Sequence, residues 1–298
     1  SNISKDTRQV LKNHFVINHV EVDSLQKSKD GTIKNAVKLF DGLIVESVLI
    51  PTPNRTTACI STQVGCSLNC KFCATAKLKK MRNLHPDEIY DQVKAIDQES
   101  RLYHSRPLSN IVFMGMGEPL MNYNNVLKSI DKITSEEGLG MSPKRITVST
   151  SGIPKMIKKL ADDKVKFNLA VSLHSAIQEK REQIMPFATK FTLIDLKESL
   201  QYWYEKTNQR ITYEYVIWEG INDTREDIDA LIRYCKQVPC KVNLIEYNAI
   251  DDDSFKQASK RVTDAYIYTL EKNRIPVTVR RSRGKDIDAA CGQLANKK

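Results

Sequence analysis

The sequence predicts an α/β chain built on a parallel sheet, and three observations carry that reading. Short runs rich in β-branched and aromatic residues recur at 57–62, 111–116, 146–150, 168–173, 211–217 and 242–247. Amphipathic helical segments separate them, and repeated β–α alternation at this spacing implies right-handed crossovers between parallel strands. Residue types that do chemistry gather at the C-terminal ends of the runs, where the loops of βα folds carry function. Six such units are too few for a closed eight-stranded barrel.

The elements follow in order. Residues 4–14 suit a short helix, and Asp41-Gly42 between Val37-Lys38-Leu39-Phe40 and Leu43-Ile44-Val45-Glu46 is a hairpin signal. The first parallel run, Thr57-Ala58-Cys59-Ile60-Ser61-Thr62, precedes a loop of cysteines. Pro86 opens a helix at a first-turn position, with Ile89, Val93 and Ile96 on one face. The run from Ile111 ends in Gly115-Met116-Gly117-Glu118-Pro119, the run from Ile146 ends at Ser149-Thr150, and the run from Asn168 ends at Ser172-Leu173-His174. Leu193, Leu196, Leu200 and Trp203 define a further amphipathic helix, and Ile228, Leu231, Ile232 and Cys235 another. A helix near 256–273 and a strand at 276–280 close the side, before a loop that carries Cys291. The expected division is an N-terminal segment at 1–54, a barrel at 55–280 and a C-terminal loop at 281–298.

Composition narrows the function. The hydrophobic fraction of 41% is ordinary for a globular chain, and the apolar runs fall far short of a membrane span. The N-terminus lacks a signal-peptide pattern. Seven cysteines, an odd number, favour thiol chemistry or metal binding over a disulfide framework, and the expected compartment is the reducing cytoplasm. A formal net charge of +10 favours a polyanionic partner.

Cys66, Cys70 and Cys73 in Gly-Cys-Ser-Leu-Asn-Cys-Lys-Phe-Cys form a CxxxCxxC loop. A [4Fe-4S] cube usually takes four cysteines, so a loop that offers three leaves one iron free to bind a small molecule. Zinc is the main competitor, but structural zinc sites collect four Cys or His ligands in paired groups, and no second CxxC or HxxxH occurs.

Together with Gln63-Val64-Gly65-Cys66, Met114 to Pro119, Ser149-Thr150-Ser151-Gly152, Ser172-Leu173-His174, Gly220-Ile221-Asn222-Asp223 and Asp286 to Leu294, this loop resembles the radical S-adenosylmethionine (SAM) superfamily. Within it, the chain resembles the RlmN/Cfr family of RNA adenosine methyltransferases from about Arg55 to Leu294. The resemblance implies a partial (βα)6 TIM-like barrel with an N-terminal extension and a C-terminal catalytic loop. Family members usually carry a longer N-terminal accessory domain. Here the chain opens Ser-Asn, so that domain is expected to be shortened.

The resemblance also implies cofactors, partners and roles. The cofactors are a [4Fe-4S] cluster on Cys66, Cys70 and Cys73, and SAM held by Gly117, Glu118, Ser149, Ser172, Leu173, His174 and Asn248. Cys291 and Cys59 match the family's two catalytic cysteines, and Glu46 matches a family carboxylate that makes it a candidate general base. Read alone, Cys59 is a small core residue, His174 a hydrogen bonder at a barrel mouth and Glu46 a solvated strand glutamate. C2 of adenine is too electron-poor for direct transfer of an electrophilic methyl group. The implied route therefore methylates Cys291 from one SAM, abstracts a hydrogen from that methyl with a radical from a second, and adds the resulting carbon radical to the base. Attack by Cys59 then releases the product and leaves a reducible Cys59–Cys291 disulfide. The implied partners are 23S rRNA, tRNA as a second substrate, and an electron donor such as flavodoxin or ferredoxin, with the chain expected as a monomer. C8 methylation of the same adenosine class is the alternative within the family, and a non-catalytic RNA-binding protein with a structural metal is the alternative outside it. Two basic groups, Lys77, Lys79, Lys80 and Arg82 after the cysteine loop and Arg280, Arg281, Arg283 and Lys285 before Cys291, are candidate phosphate contacts.

Overall fold

A computed structural model describes residues 2–15, 19–250 and 254–296. The N-terminal part contains α1 (Lys5–His14), β1 (Glu21–Lys27), β2 (Ile33–Lys38) and β3 (Ile44–Thr52). The parallel part begins with β4 (Arg55–Cys59), followed by the two-residue strands β5 (Gln63–Val64) and β6 (Arg82–Asn83) that brace the cysteine loop. Then α2 (Pro86–His104), β7 (Asn110–Phe113), α3 (Tyr123–Thr134), β8 (Ile146–Thr150), α4 (Pro154–Asp162) and β9 (Asn168–Ser172) alternate. The chain continues through α5 (Gln178–Ile184), α6 (Leu193–Thr207), β10 (Ile211–Val216), α7 (Arg225–Cys235), β11 (Cys240–Ile245), α8 (Lys260–Lys272) and β12 (Val277–Arg280).

One ten-stranded sheet runs β1-β2-β3-β4-β7-β8-β9-β10-β11-β12. Within this sheet every neighbouring pair from β4 to β12 is parallel, and a helix lies between each of its strands from β4 to β11 and the next. The expected six βα units are therefore present, with β12 added at the edge as an open, partial barrel. The N-terminal hairpin does not stand apart from this sheet. Strand β3 pairs antiparallel with β4, Thr52 opposite Arg55, so the turn at 53–54 joins the extension to the barrel.

Side-chain chemistry accounts for the order. All six residues of β10 are buried, as befits a central parallel strand covered on both faces. Ile89, Val93 and Ile96 turn the inner face of α2 onto the sheet, and Leu196, Leu200 and Trp203 do the same for α6. Thr192 and Asp195 close a reciprocal capping box on α6, and Thr224 and Asp227 close one on α7.

Two expected strands end early, and both ends matter for the site. The runs at 57–62 and 111–116 are regular only to Cys59 and Phe113. Beyond them the two backbones close in, the Gly115 N–H donating to the Ile60 carbonyl. A Cβ at Gly115 would stand 2.7 Å from that carbonyl carbon, closer than packed atoms approach. Cys59 is thus the last residue of its strand, at the barrel's mouth.

Arg82 is not available as a phosphate contact. Its guanidinium takes both carboxylate oxygens of Glu88 at 2.7 Å and Oδ2 of Asp41 at 2.6 Å. Glu88 is held inside by its capping bond to the His85 N–H, so it needs a charged partner. Arg82→Met should lower the unfolding free energy by about 3 kcal/mol, since one half of a buried pair is left uncompensated. Urea denaturation with the slope held constant measures this, and a loss below about 1 kcal/mol, the size of an exposed pair, would show that the pair is merely superficial.

Candidate functional site

The loops at the C-terminal ends of the parallel strands surround one cavity, and most of the expected site residues line it. Cys66, Cys70 and Cys73 come from the loop after β5, and Gly117 and Glu118 from the end of β7. Ser149 comes from β8, Ser172 and His174 from β9, Asn248 from the segment after β11, and Cys59 and Cys291 from opposite ends of the barrel sequence. Leu173 and Glu46 are the exceptions. The Leu173 side chain is fully buried in the main apolar core, and only its backbone serves the site, its carbonyl accepting from Arg181 Nε at 3.3 Å. Glu46 is neither solvated nor on the cavity wall. It is 1% exposed and ion-paired to Lys34 at 3.3 Å.

The three loop cysteines are free thiols on the same wall of the cavity. Burial, and then the neighbouring thiols and Glu118, push Cys70 well above the usual thiol range, and burial pushes Cys66 to about 11. Three thiols turned to one space call for a strongly cationic group to take the thiolates. Among the described residues no three Cys, His, Asp or Glu side chains converge on a single ion position.

Glu118 is fixed by its surroundings. One oxygen accepts from the Leu120 N–H at 3.1 Å and the other from the Ser151 N–H at 2.8 Å, so the carboxylate bridges the ends of β7 and β8. Burial raises its pKa, and these hydrogen bonds oppose the rise. Gly117 has φ of +96°, and a Cβ there would strike the Gln63 side chain at 2.5 Å. Gln63 Oε1 in turn receives the Glu118 N–H at 2.9 Å, which makes the glycine a requirement of close approach.

His174 sits in a left-handed turn with φ of 56°. Asn222 holds that turn, donating to the His174 carbonyl at 2.6 Å and the Val216 carbonyl at 2.9 Å. The His174 ring accepts the Val216 N–H at 3.2 Å through Nδ1, and Phe72 packs against its edge at 4.8 Å. Burial, aided by Arg181, lowers its pKa to about 3, so the imidazole is neutral throughout the physiological range.

Around the two remaining cysteines the barrel supplies charge. Arg280, at the end of β12, and Glu214, on β10, line the cavity with Cys59 and Cys291. Burial pushes the Cys59 thiol up to about 12, and Cys291 raises it further while Arg280 opposes. Cys291 presents its accessible surface to the cavity, and the protein packed around the thiol raises its pKa against the pull of Arg280. Burial alone would lower the guanidinium's pKa, but Cys291, Glu214 and Cys59 hold it above its usual value. Arg280 is thus the counter-charge for both thiols, which removes it from the phosphate contacts. Arg283 and Lys285 are likewise turned to protein acids, Asp30 at 3.9 Å and Glu246 at 3.0 Å. Sequence reading missed Glu214, although a carboxylate in the otherwise unbroken run Ile-Thr-Tyr-Glu-Tyr-Val was the available signal.

Two buried polar atoms on the cavity wall have no protein partner, Oδ1 of Asn248 and Oε2 of Glu214. Such atoms are costly unless a ligand or water satisfies them. They fit a ligand rich in hydroxyl and amino donors, with the acid of Glu118 available for an amino group. SAM is such a molecule.

A sequence profile of the radical SAM superfamily matches residues 60–235. A relative from Christiangramia forsetii, described as a probable dual-specificity RNA methyltransferase RlmN, is 74% identical over 297 residues, covering 100% of this chain and 84% of that protein. The chain belongs to the RlmN family of the radical SAM superfamily. A more distant RlmN relative from Salinibacter ruber is 44% identical over 304 residues, covering 99% of this chain and 82% of that protein. A solved radical SAM methyltransferase from Sphaerobacter thermophilus superposes with a TM-score of 0.94 at 36% identity, covering 99% of this chain and 87% of that one. Membership implies SAM and an iron–sulfur cluster, and the three thiols and the cavity fit both. Among the described residues no helix is long and apolar enough to cross a membrane.

If the loop cysteines carry the cluster, replacing any one of Cys66, Cys70 or Cys73 by Ala should abolish both stoichiometric iron binding after anaerobic reconstitution and 5′-deoxyadenosine formation from SAM. A variant that keeps full iron content and cleaves SAM would refute the ligand set.

Proposed function

We propose that this chain methylates C2 of an adenosine in RNA, with 23S rRNA and tRNA as its substrates, and that Cys291 carries the methyl group while Cys59 resolves the covalent adduct. The observation that supports this reading most is that the thiols of Cys59 and Cys291 open onto the same cavity as the three-cysteine loop, with Arg280 beside both. A non-catalytic RNA-binding protein would have no use for a buried thiol, a second, accessible thiol and a guanidinium around one cavity. The C2 assignment is favoured over C8 because relatives 70–74% identical to this chain carry the RlmN name.

When bound, the cluster supplies the electron that cleaves SAM. Cys66, Cys70 and Cys73 would hold it, and Glu118, Ser149, Ser172, His174 and Asn248 would surround SAM, with Glu118 opposite its amino group. Neutral His174 adds no positive charge to the cavity that would receive SAM. Glu214 gives an acceptor for a hydroxyl or amino donor on the nucleoside. Arg280 lowers the cost of forming thiolate at Cys291, which must act as a nucleophile to accept a methyl group, and at Cys59, which must act as one to release the product. The target base has to leave its stack to reach this depth, which favours a loop or single-stranded adenosine. A one-electron donor of the flavodoxin or ferredoxin type completes the cycle.

Two experiments test the proposal. With labelled RNA on denaturing gels, Cys59→Ala should trap protein and RNA joined through Cys291, whereas Cys291→Ala should form no adduct. A shift confined to Cys291→Ala would reverse the roles, full activity in both would remove them, and mass mapping of the methylated adenosine reports C2 or C8. RNA affinity should also fall steeply with salt. Neutralising exposed Lys79 and Arg281 should reduce the slope by roughly one per phosphate contact, and an unchanged slope would move the RNA to another face.

A further inference from the structure

Glu46 matches a family carboxylate expected as a base, yet its environment is that of a clamp. It lies on β3, with Ala36 of β2 directly opposite and Lys34 two residues further along the same face of the pair. One carboxylate oxygen meets Lys34 Nζ at 3.3 Å, both side chains being almost wholly buried. The other oxygen accepts two backbone N–H groups, from Ala295 at 2.7 Å and Asn296 at 3.1 Å. Asn296 returns the contact, its Nδ2 donating to the Ile44 carbonyl at 2.8 Å. The N-terminal hairpin therefore grips the chain four and five residues beyond Cys291.

The same segment is held elsewhere by uncharged groups. The Gly292 carbonyl accepts the Ala74 N–H at 2.7 Å, and the Leu294 carbonyl accepts Thr75 Oγ1 at 2.6 Å, both from the end of the cysteine loop. Asn248 Nδ2 donates to the Cys291 carbonyl at 3.2 Å. Of these pins only Glu46 uses a buried charge, and charge-assisted bonds to backbone N–H groups are roughly twice as strong as neutral ones. A base acting on RNA would need a free oxygen on the cavity wall, whereas both oxygens of Glu46 are engaged away from it.

We propose that Glu46 and Lys34 form a buried latch that docks the C-terminal segment and so positions Cys291, and that Glu46 is a positioning residue rather than the proton acceptor. The inference rests on Cys291 as the methyl carrier. That thiol has to meet the SAM methyl, the target base and Cys59 in turn, and small misplacements of reacting atoms carry large rate penalties. Lys34 holds the carboxylate in place, and the two N–H groups set the register of the tail against the hairpin.

Amide hydrogen exchange of residues 290–296, measured by mass spectrometry on the cluster-reconstituted enzyme, tests the latch without reference to activity. Glu46→Gln, Lys34→Met and Ala295→Pro should each raise exchange in this segment and the rate of Cys291 alkylation by iodoacetamide by roughly tenfold, the factor that loss of a charge-assisted hydrogen bond carries. Lys34→Arg should retain protection. RNA methylation should fall in the three loosened variants with no accumulation of covalent protein–RNA adduct. Ala295→Pro deletes one donor and leaves the ion pair intact, so it decides the matter if loss of protection in Glu46→Gln extends to the central strands β8 and β9. Unchanged exchange in all the variants would overturn the latch. So would accumulation of adduct in Glu46→Gln beside full activity in Ala295→Pro, which is the signature of a proton acceptor. If Cys291 is not the methyl carrier, Cys291→Ala remains active while the exchange results stand, so the two failures are distinguishable.

Discussion

The rest of the structure depends on the parallel run of strands from β4 to β12. Parallel strands satisfy their backbone groups only by pairing with neighbours that point the same way, and each return path must cross as a helix outside the sheet. Every C-terminal end then falls on one rim. Cysteines at 66–73, the Gly117-Glu118 turn, Ser149, His174 and Arg280 are spread over most of the chain, yet this constraint alone brings them around one cavity. The same constraint explains why the regular pairing of β4 and β7 stops at Cys59 and Phe113. Regular pairing gives way there to an irregular close approach, and Gly115 lets the two backbones meet.

Within that rim, charges are managed by burial and pairing. Glu118 is penalised by burial, and backbone N–H groups from two strand ends oppose the penalty. His174 is held neutral by burial beside Arg181, whose own pKa is lowered to about 10 by the same burial. The only guanidinium at the end of β12 that reaches the cavity, Arg280, stands between two thiols and Glu214. A site for radical chemistry needs few general acids and bases, and under the proposed function the polar groups here would orient ligands and stabilise thiolate.

The β1–β2 turn and strand β3 link the ends of the chain. Asp30 accepts the Gly284 N–H at 3.0 Å, Ser28 donates to Asp286 at 2.6 Å, and Glu46 receives Ala295 and Asn296. The extension thus builds a seat for the loop that carries Cys291 as well as an edge for the barrel. Each of these contacts joins residues some 250 positions apart, and local sequence carries no trace of the pairing.

What the sequence determined by itself was the set of elements and the chemistry of the site. Period-2 and period-3.6 patterns located the parallel strands and their helices to within a few residues at the ends, because burial of apolar faces enforces those periods wherever the strand or helix is covered. The cysteine spacing, the Gly-Glu turn and the ordered motifs marked the residues that line the cavity, since ligand chemistry tolerates few substitutes. Tertiary structure decided which charged residues face the ligand and which serve the fold. Arg82, Arg283 and Lys285 read as a basic surface along the chain, and each is turned to an acid brought near by folding. Leu173 proved to be core, Glu46 a buried partner of Lys34, and Glu214 and Arg280 part of the cavity wall. The physical reason is common to all of them: a charge takes its role from the partner and the dielectric around it, and both are set by contacts between distant residues.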